Sequence, residues 1–251
     1  MADRQKVAVV TGAAGGLGAA YAKRLAADGF RVAVVDIKAA TAVVDAIVSA
    51  GGDARAYVCN ITDQAQIAEL ASRIDTELGG ADVLVNNAGI YEFSPHETAT
   101  LALWRKMMAL NVDGMFMMVQ AFVPGMKAKG WGRIINVASN SCFLPPPGLT
   151  AYVASKMAVI GYVQTLAGEL GQYGITVNAV APGPTVTEQL RSGFPDQASF
   201  DLFLDSILQT QAIKQVSVPD FSAPTVAFFA SDEAGFITGQ TLVVDGGAAK
   251  H

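Results

Sequence analysis

Two cysteines, two histidines and a charged fraction of 16% in 251 residues leave this chain poor in the groups that build disulfide frameworks, metal centres and polyanion-binding surfaces. Cys59 and Cys142 sit in apolar or loop contexts with no sign of an oxidising compartment, and both read as reduced thiols. His96 and His251 have no partner at metal-ligand spacing, so no metal site is expected. Lys and Arg are scattered through a chain of net charge −5, which excludes a basic footprint for nucleic acid or an anionic membrane. No uninterrupted apolar run reaches spanning length, and Met1–Lys6 contains no export-type apolar core; a cytoplasmic protein is expected. The absence of a Gly-x-Ser-x-Gly sequence speaks against a serine hydrolase.

What is present is alternation. Short apolar runs at Lys6–Val10, Arg31–Val35, Asp82–Val85, Arg133–Val137, Thr176–Val180 and Thr241–Val244 alternate with helical stretches, the pattern of strands covered on both faces in a parallel sheet. No linker, low-complexity tract or repeat interrupts it, so residues 1–251 are expected to form one α/β domain. The least regular part runs from Pro182 to Pro219 and spaces Phe194, Phe200, Phe203, Leu204 and Leu208 at helical intervals. A substrate lid over about 184–218 is expected, with ordinary amphipathic core helices as the plainer reading.

The first run leads into Thr11-Gly12-Ala13-Ala14-Gly15-Gly16-Leu17-Gly18 and then a helix from Leu17 to Asp28. Strand, glycine turn and helix in that order suit a dinucleotide. Gly12 permits the turn, Gly16 lets the backbone approach a pyrophosphate, and Gly18 allows close helix–strand packing, while the helix N-terminus supplies unpaired N–H groups. Asp36, 18 residues after Gly18 at a strand end, can accept from both adenosine ribose hydroxyls and would repel a 2′-phosphate. NAD is therefore favoured over NADP, in keeping with Gly15 standing where a phosphate-clamping base could have been. Each feature has a plainer reading, a ligand-free turn and a solvated strand-end Asp.

Far downstream, Tyr152 and Lys156 lie four apart in Ala151-Tyr152-Val153-Ala154-Ser155-Lys156-Met157. Hydride transfer to a carbonyl leaves a developing alkoxide that needs a proton donor. A tyrosine serves if its pKa, near ~10 when free, is lowered by an ammonium one helical turn away. The sequence predicts that Lys156 does this for Tyr152.

Together with Asn86-Asn87-Ala88-Gly89, Pro182-Gly183 and Asp245-Gly246-Gly247, these motifs resemble the short-chain dehydrogenase/reductase family over essentially the whole chain. The resemblance implies a single-domain Rossmann fold with a doubly wound, seven-stranded parallel sheet. It implies Asn111, Ser139, Tyr152 and Lys156 as catalytic residues. Ser139 would hold the substrate oxygen, with Ser141 as the alternative. Asn111 would hold a relay water, with bonding to its own helix as the plainer reading. For the cofactor it implies Gly12, Gly15, Gly16, Leu17, Gly18, Asp36, Ile37, Asn60, Ile61, Asn87, Ala88, Gly89, Tyr152, Lys156, Pro182, Gly183, Val186 and Thr187. Asp63 would lie near the adenine. Asn60 departs from the family's usual Asp, but its carbonyl can still accept from the adenine amino group. The family also implies a homotetramer, and Met115–Val119 and the Gly247–His251 tail suit burial between subunits.

Candidate pocket walls are Tyr91, Phe93, Asn140, Ser141, Phe143, Leu144, Pro145, Pro184, Leu190, Phe194 and Phe203. Pro145-Pro146-Pro147 fixes three successive φ angles beside Tyr152, so a preformed pocket is expected. The walls are mostly apolar, which favours a neutral hydrophobic secondary alcohol or ketone. Segments 121–127, 130–136 and 236–241 resemble bacterial (S)-1-phenylethanol dehydrogenase-like secondary alcohol dehydrogenases. The alternatives are a 3-oxoacyl-thioester reductase, normally NADPH-dependent and so opposed by Asp36, and a non-catalytic nicotinamide-binding regulatory protein, which would normally have lost Tyr or Lys.

Overall fold

Alternate residues of the central strands face two different helix layers, and this decides the architecture. In the computed structural model, which describes residues 5–250, seven strands form one sheet. Met1–Arg4 and His251, with what was expected of them, lie outside the described residues. In chain order the strands are β1 (Val7–Thr11), β2 (Arg31–Asp36), β3 (Asp53–Val58), β4 (Val83–Asn86), β5 (Gly132–Val137), β6 (Ile175–Pro182) and β7 (Thr241–Val244). All neighbours are parallel, in the order β3-β2-β1-β4-β5-β6-β7. The winding direction reverses between β1 and β4, and ligands of such sheets bind beyond the carboxyl ends of the strands at that switch point.

On one face Val9, Ala33, Leu84, Ile134 and Val177 pack against α3 (Gln64–Leu78), α5 (Met115–Lys129) and α6 (Thr150–Leu170). On the other, Val10, Val34, Val85, Ile135 and Val180 pack against α1 (Gly16–Ala27), α2 (Thr41–Ser49) and α9 (Ala223–Ala230). The expected single doubly wound domain is what forms. Six strands coincide with the six apolar runs. The seventh, β3, is an edge strand whose Arg55, Ala56 and Val58 are exposed, so it carries no continuous apolar signal.

Leu101–Lys129 is helical throughout, through α4 (Leu101–Met108), a π-helical turn at Ala109–Gly114 and α5. Its length and composition would let it cross a membrane. It is nonetheless interrupted by Arg105, Lys106, Asp113 and Lys127, and its Met107, Met118, Phe122 and Met126 are buried in the protein. Of Met115–Val119, Phe116 alone is classed as exposed. The segment after β6 contains two helices, α7 (Glu188–Arg191) and α8 (Gln197–Thr210).

Candidate active site

The loop after β1 is held open by backbone chemistry rather than by charged side chains. Gly12 and Gly16 have φ of +63° and +54°, in the left-handed region that favours glycine. A Cβ on Gly18 would lie 2.3 Å from the Gly12 carbonyl oxygen, so only glycine lets α1 start this close to the loop. No side chain caps α1 at Gly15, which leaves its first N–H groups for an anion. From β4, the Asn87 amide donates to the carbonyls of Thr11 (2.9 Å) and Gly12 (3.0 Å), and the Thr11 hydroxyl accepts from Asn87 and Ala88 N–H. Asp36, at the end of β2, accepts from Ala14 N and Lys38 N, both at 3.0 Å, beside the exposed Ile37. Thr187 caps α7 by accepting from Leu190 N, and its methyl group would lie 3.4 Å from a Cβ on Gly16. The segment carrying Pro182, Gly183, Val186 and Thr187 thus ends against the glycine loop. These residues form a cradle that fits a dinucleotide.

On the expected adenine side, the Asn60 carbonyl oxygen accepts from both Thr62 N and Thr62 Oγ1. Ile61 is buried, and a Cβ on Gly114 would lie 3.0 Å from it; its side chain belongs to the core.

Beyond β5 the chain makes a 3₁₀ turn at Asn140–Cys142, capped by Ser139. The strand ends at Val137, and Ser139, not Ser141, is the hydroxyl that acts to lower the pKa of the Tyr152 phenol. Ser141 stands behind it, donating from Oγ to Ser139 Oγ at 2.9 Å. Lys156, one turn along α6, is buried and donates to the Val137 carbonyl at 2.7 Å. Asn111 lies in the π-helical turn. Its amide exchanges hydrogen bonds with the Ile90 backbone, both at 2.9 Å, and donates to Ser155 Oγ; it does not bond its own helix backbone. Gly89 lets these groups converge, since a Cβ there would sit 3.1 Å from Asn111 Oδ1 and 3.3 Å from Lys156 Nζ.

The electrostatics correct one expectation. Burial pushes the Tyr152 phenol up to about 12, outweighing the Ser139 hydrogen bond that lowers it. The Lys156 ammonium, 5.9 Å from the phenol ring centre, does not acidify it here; burial pushes Lys156 down to about 8. Desolvation disfavours the charged form of each group.

Around Tyr152, the Tyr91 ring stands edge-on at 5.9 Å and its hydroxyl donates to the Gln189 carbonyl of α7. Phe93 lies over Gly148, and Ser94 N donates to the Gly148 carbonyl, tying the loop after β4 to the proline run. Phe143 packs on the core, Leu144 is exposed, and Pro184 and Leu190 are half-buried. Two expected walls have other partners: Asn140 is buried and donates to Asp245, and Phe194 packs in an aromatic cluster with Phe200 and Phe203. Cys59 and Cys142 are free thiols, and no group of three or more His, Cys, Asp or Glu suited to a metal occurs among the described residues.

Residues 6–198 match the family model described as short chain dehydrogenase. The chain is 36% identical to D-threitol dehydrogenase of Mycolicibacterium smegmatis over 245 residues, 96% of this chain and 92% of that protein. It is 38% identical to a 3-oxoacyl acyl-carrier-protein reductase of Staphylococcus epidermidis over 245 residues, 96% of this chain and 98% of the relative. Among solved structures it is similar to a 3-oxoacyl (acyl-carrier-protein) reductase of Agrobacterium tumefaciens with NADP bound, at a TM-score of 0.90 and 26% identity, over 97% of this chain and 94% of that one. A match over most of its length to both model and relatives makes this chain a member of the short-chain dehydrogenase family, whose members are nicotinamide-dependent oxidoreductases.

Proposed function

We propose that the protein is an NAD-dependent oxidoreductase that interconverts a hydrophobic, bulky or aryl secondary alcohol and its ketone. The observation that carries this reading is the convergence of Ser139, Tyr152 and Lys156 beside the glycine cradle. A bound nicotinamide supplies the hydride donor or acceptor. The first N–H groups of α1 and the Gly12–Gly18 loop would hold its pyrophosphate, and Asp36 its adenosine ribose. Tyr152 gives a proton to the substrate oxygen in reduction and takes one in oxidation; Ser139 holds that oxygen through its hydroxyl. With its phenol pushed up to about 12, Tyr152 keeps its proton at neutral pH and rests as an acid.

Asp36 favours NAD, because a 2′-phosphate would meet its carboxylate. The apolar and aromatic residues near Tyr152, Tyr91 above all, favour an aryl or bulky alkyl group over a polyol. The segment 184–218, with α7 against Tyr91 and the glycine loop, is assigned as the substrate lid. Exposed Leu101, Trp104 and Phe116 on α4 and α5, with Phe236 just before β7 and Leu242 in it, support burial between subunits of a homotetramer.

Steady-state assays with NAD and NADP against 1-phenylethanol-type alcohols, threitol-type polyols and 3-oxoacyl thioesters test the reading. The aryl alcohol with NAD should give the highest kcat/KM by at least about tenfold. A higher value for polyol or thioester would replace the substrate assignment, and binding of NAD with no turnover of any member would favour a regulatory protein.

A further inference from the structure

The Asp245-Gly246-Gly247 turn after β7 plays no part in the chemistry above, yet it contacts three segments that do. Asp245 is 4% exposed, and its carboxylate accepts four hydrogen bonds from neutral donors. Oδ1 takes Gly247 N (3.0 Å) and Ala248 N (3.1 Å). Oδ2 takes Ala249 N (2.9 Å) and the Asn140 side-chain amide (3.1 Å). Successive backbone N–H groups of this kind fix an anion in place without a cation. Asn140 is the residue after Ser139, and with its amide bound to a fixed carboxylate the turn that carries Ser139 has one position. Gly183 packs directly on Asp245, where a Cβ would approach its Cβ to 2.8 Å, so the segment after β6 is registered on the same carboxylate. The Gly246 carbonyl accepts from Ala212 N and Ile213 N, both at 2.9 Å, just after α8.

We propose that Asp245 is a positioning residue for catalysis: through Asn140 it holds the turn that carries Ser139, and through Gly246 the same turn ties that serine to the root of α8. The inference rests on Ser139 acting on the substrate oxygen. A displacement of ~1 Å in such a group is enough to cost turnover on the order of 100-fold, whereas Gly183 still meets Asp245, which keeps its three backbone donors when Asn140 lets go.

Asn140→Ala deletes the tie and leaves Asp245 with its three backbone donors. Its kcat should fall by about tenfold or more, while the KM for the alcohol and the Kd for NAD stay within about threefold of the parent. Ala249→Pro, close to the chain end, removes the N–H that shares Oδ2 with Asn140 and should lower kcat by about threefold with the same split; it carries the test if the first variant does not fold. Ser139→Ala, measured alongside, separates the two levels. If S139A retains turnover, the reading of Ser139 fails. If S139A is inactive while N140A or A249P keeps kcat within twofold of the parent, the positioning role fails alone. Parallel losses in kcat, NAD affinity and melting temperature would show a general scaffold role and overturn it as well.

Discussion

Replacing Lys156 with methionine should stop turnover and yet leave the fold at least as stable as the parent at neutral pH. Burial moves the ammonium from its ordinary value of 10.5 to about 8. At ~1.4 kcal/mol per pK unit, keeping the charge inside the folded protein costs about 3 kcal/mol. Methionine has similar length and carries no charge, but it forfeits the 2.7 Å charge-assisted hydrogen bond to the Val137 carbonyl, worth about 1.5–3 kcal/mol. The net gain is roughly 0–1.5 kcal/mol, or up to a few degrees in Tm for a domain of this size. The sign of the pH dependence follows from the depressed pKa. Between about pH 8 and 10.5 the unfolded chain binds a proton at Lys156 that the folded chain has released, so the parent gains stability as pH rises through this window. The advantage of K156M should therefore be largest below pH 8 and shrink towards pH 10. Calorimetric melts of both proteins from pH 7 to 10 measure it, because groups common to both cancel in the difference. A variant that melts well below the parent at pH 7, or a gap that does not change with pH, would refute the cost assigned to the buried charge.

Tyr152→Phe removes the proton carrier and leaves the cradle intact. Turnover should fall on the order of 10³-fold with NAD affinity unchanged in a fluorescence titration, and an active Y152F protein would eliminate Tyr152 as the acid. Asp36→Ala removes the carboxylate that accepts from Ala14 N and Lys38 N. The ratio of kcat/KM for NAD over NADP should drop by at least about tenfold, through weaker NAD binding and relief of repulsion at the 2′-phosphate; an unchanged ratio would remove Asp36 as the selector.

What the sequence makes legible here is what local sterics decide. Gly12, Gly16 and Gly18 are readable because positive φ and a 2.3 Å approach admit no other residue, and they are where the dinucleotide motif places them. The strands covered on both faces are readable because each is a continuous apolar run. β3 is not, because its exposed Arg55, Ala56 and Val58 leave no continuous apolar run. The π-helical turn at Ala109–Gly114 leaves no mark on the hydrophobic periodicity, although it is what carries Asn111 to Ile90 and Ser155. Asn140 reads as a pocket wall from its place beside Ser139; its actual partner lies 105 residues further on and is set by the way β7 ends.

The same contrast governs Tyr152 and Lys156. Their spacing of four residues predicts proximity, and proximity between a phenol and an ammonium predicts an acidified phenol. The fold brings them onto one side of α6, but it also buries both, and desolvation raises one pKa and lowers the other until lysine, at about 8, releases its proton before tyrosine, at about 12. The spacing therefore places the two side chains, while their protonation is governed by how deeply the fold buries them.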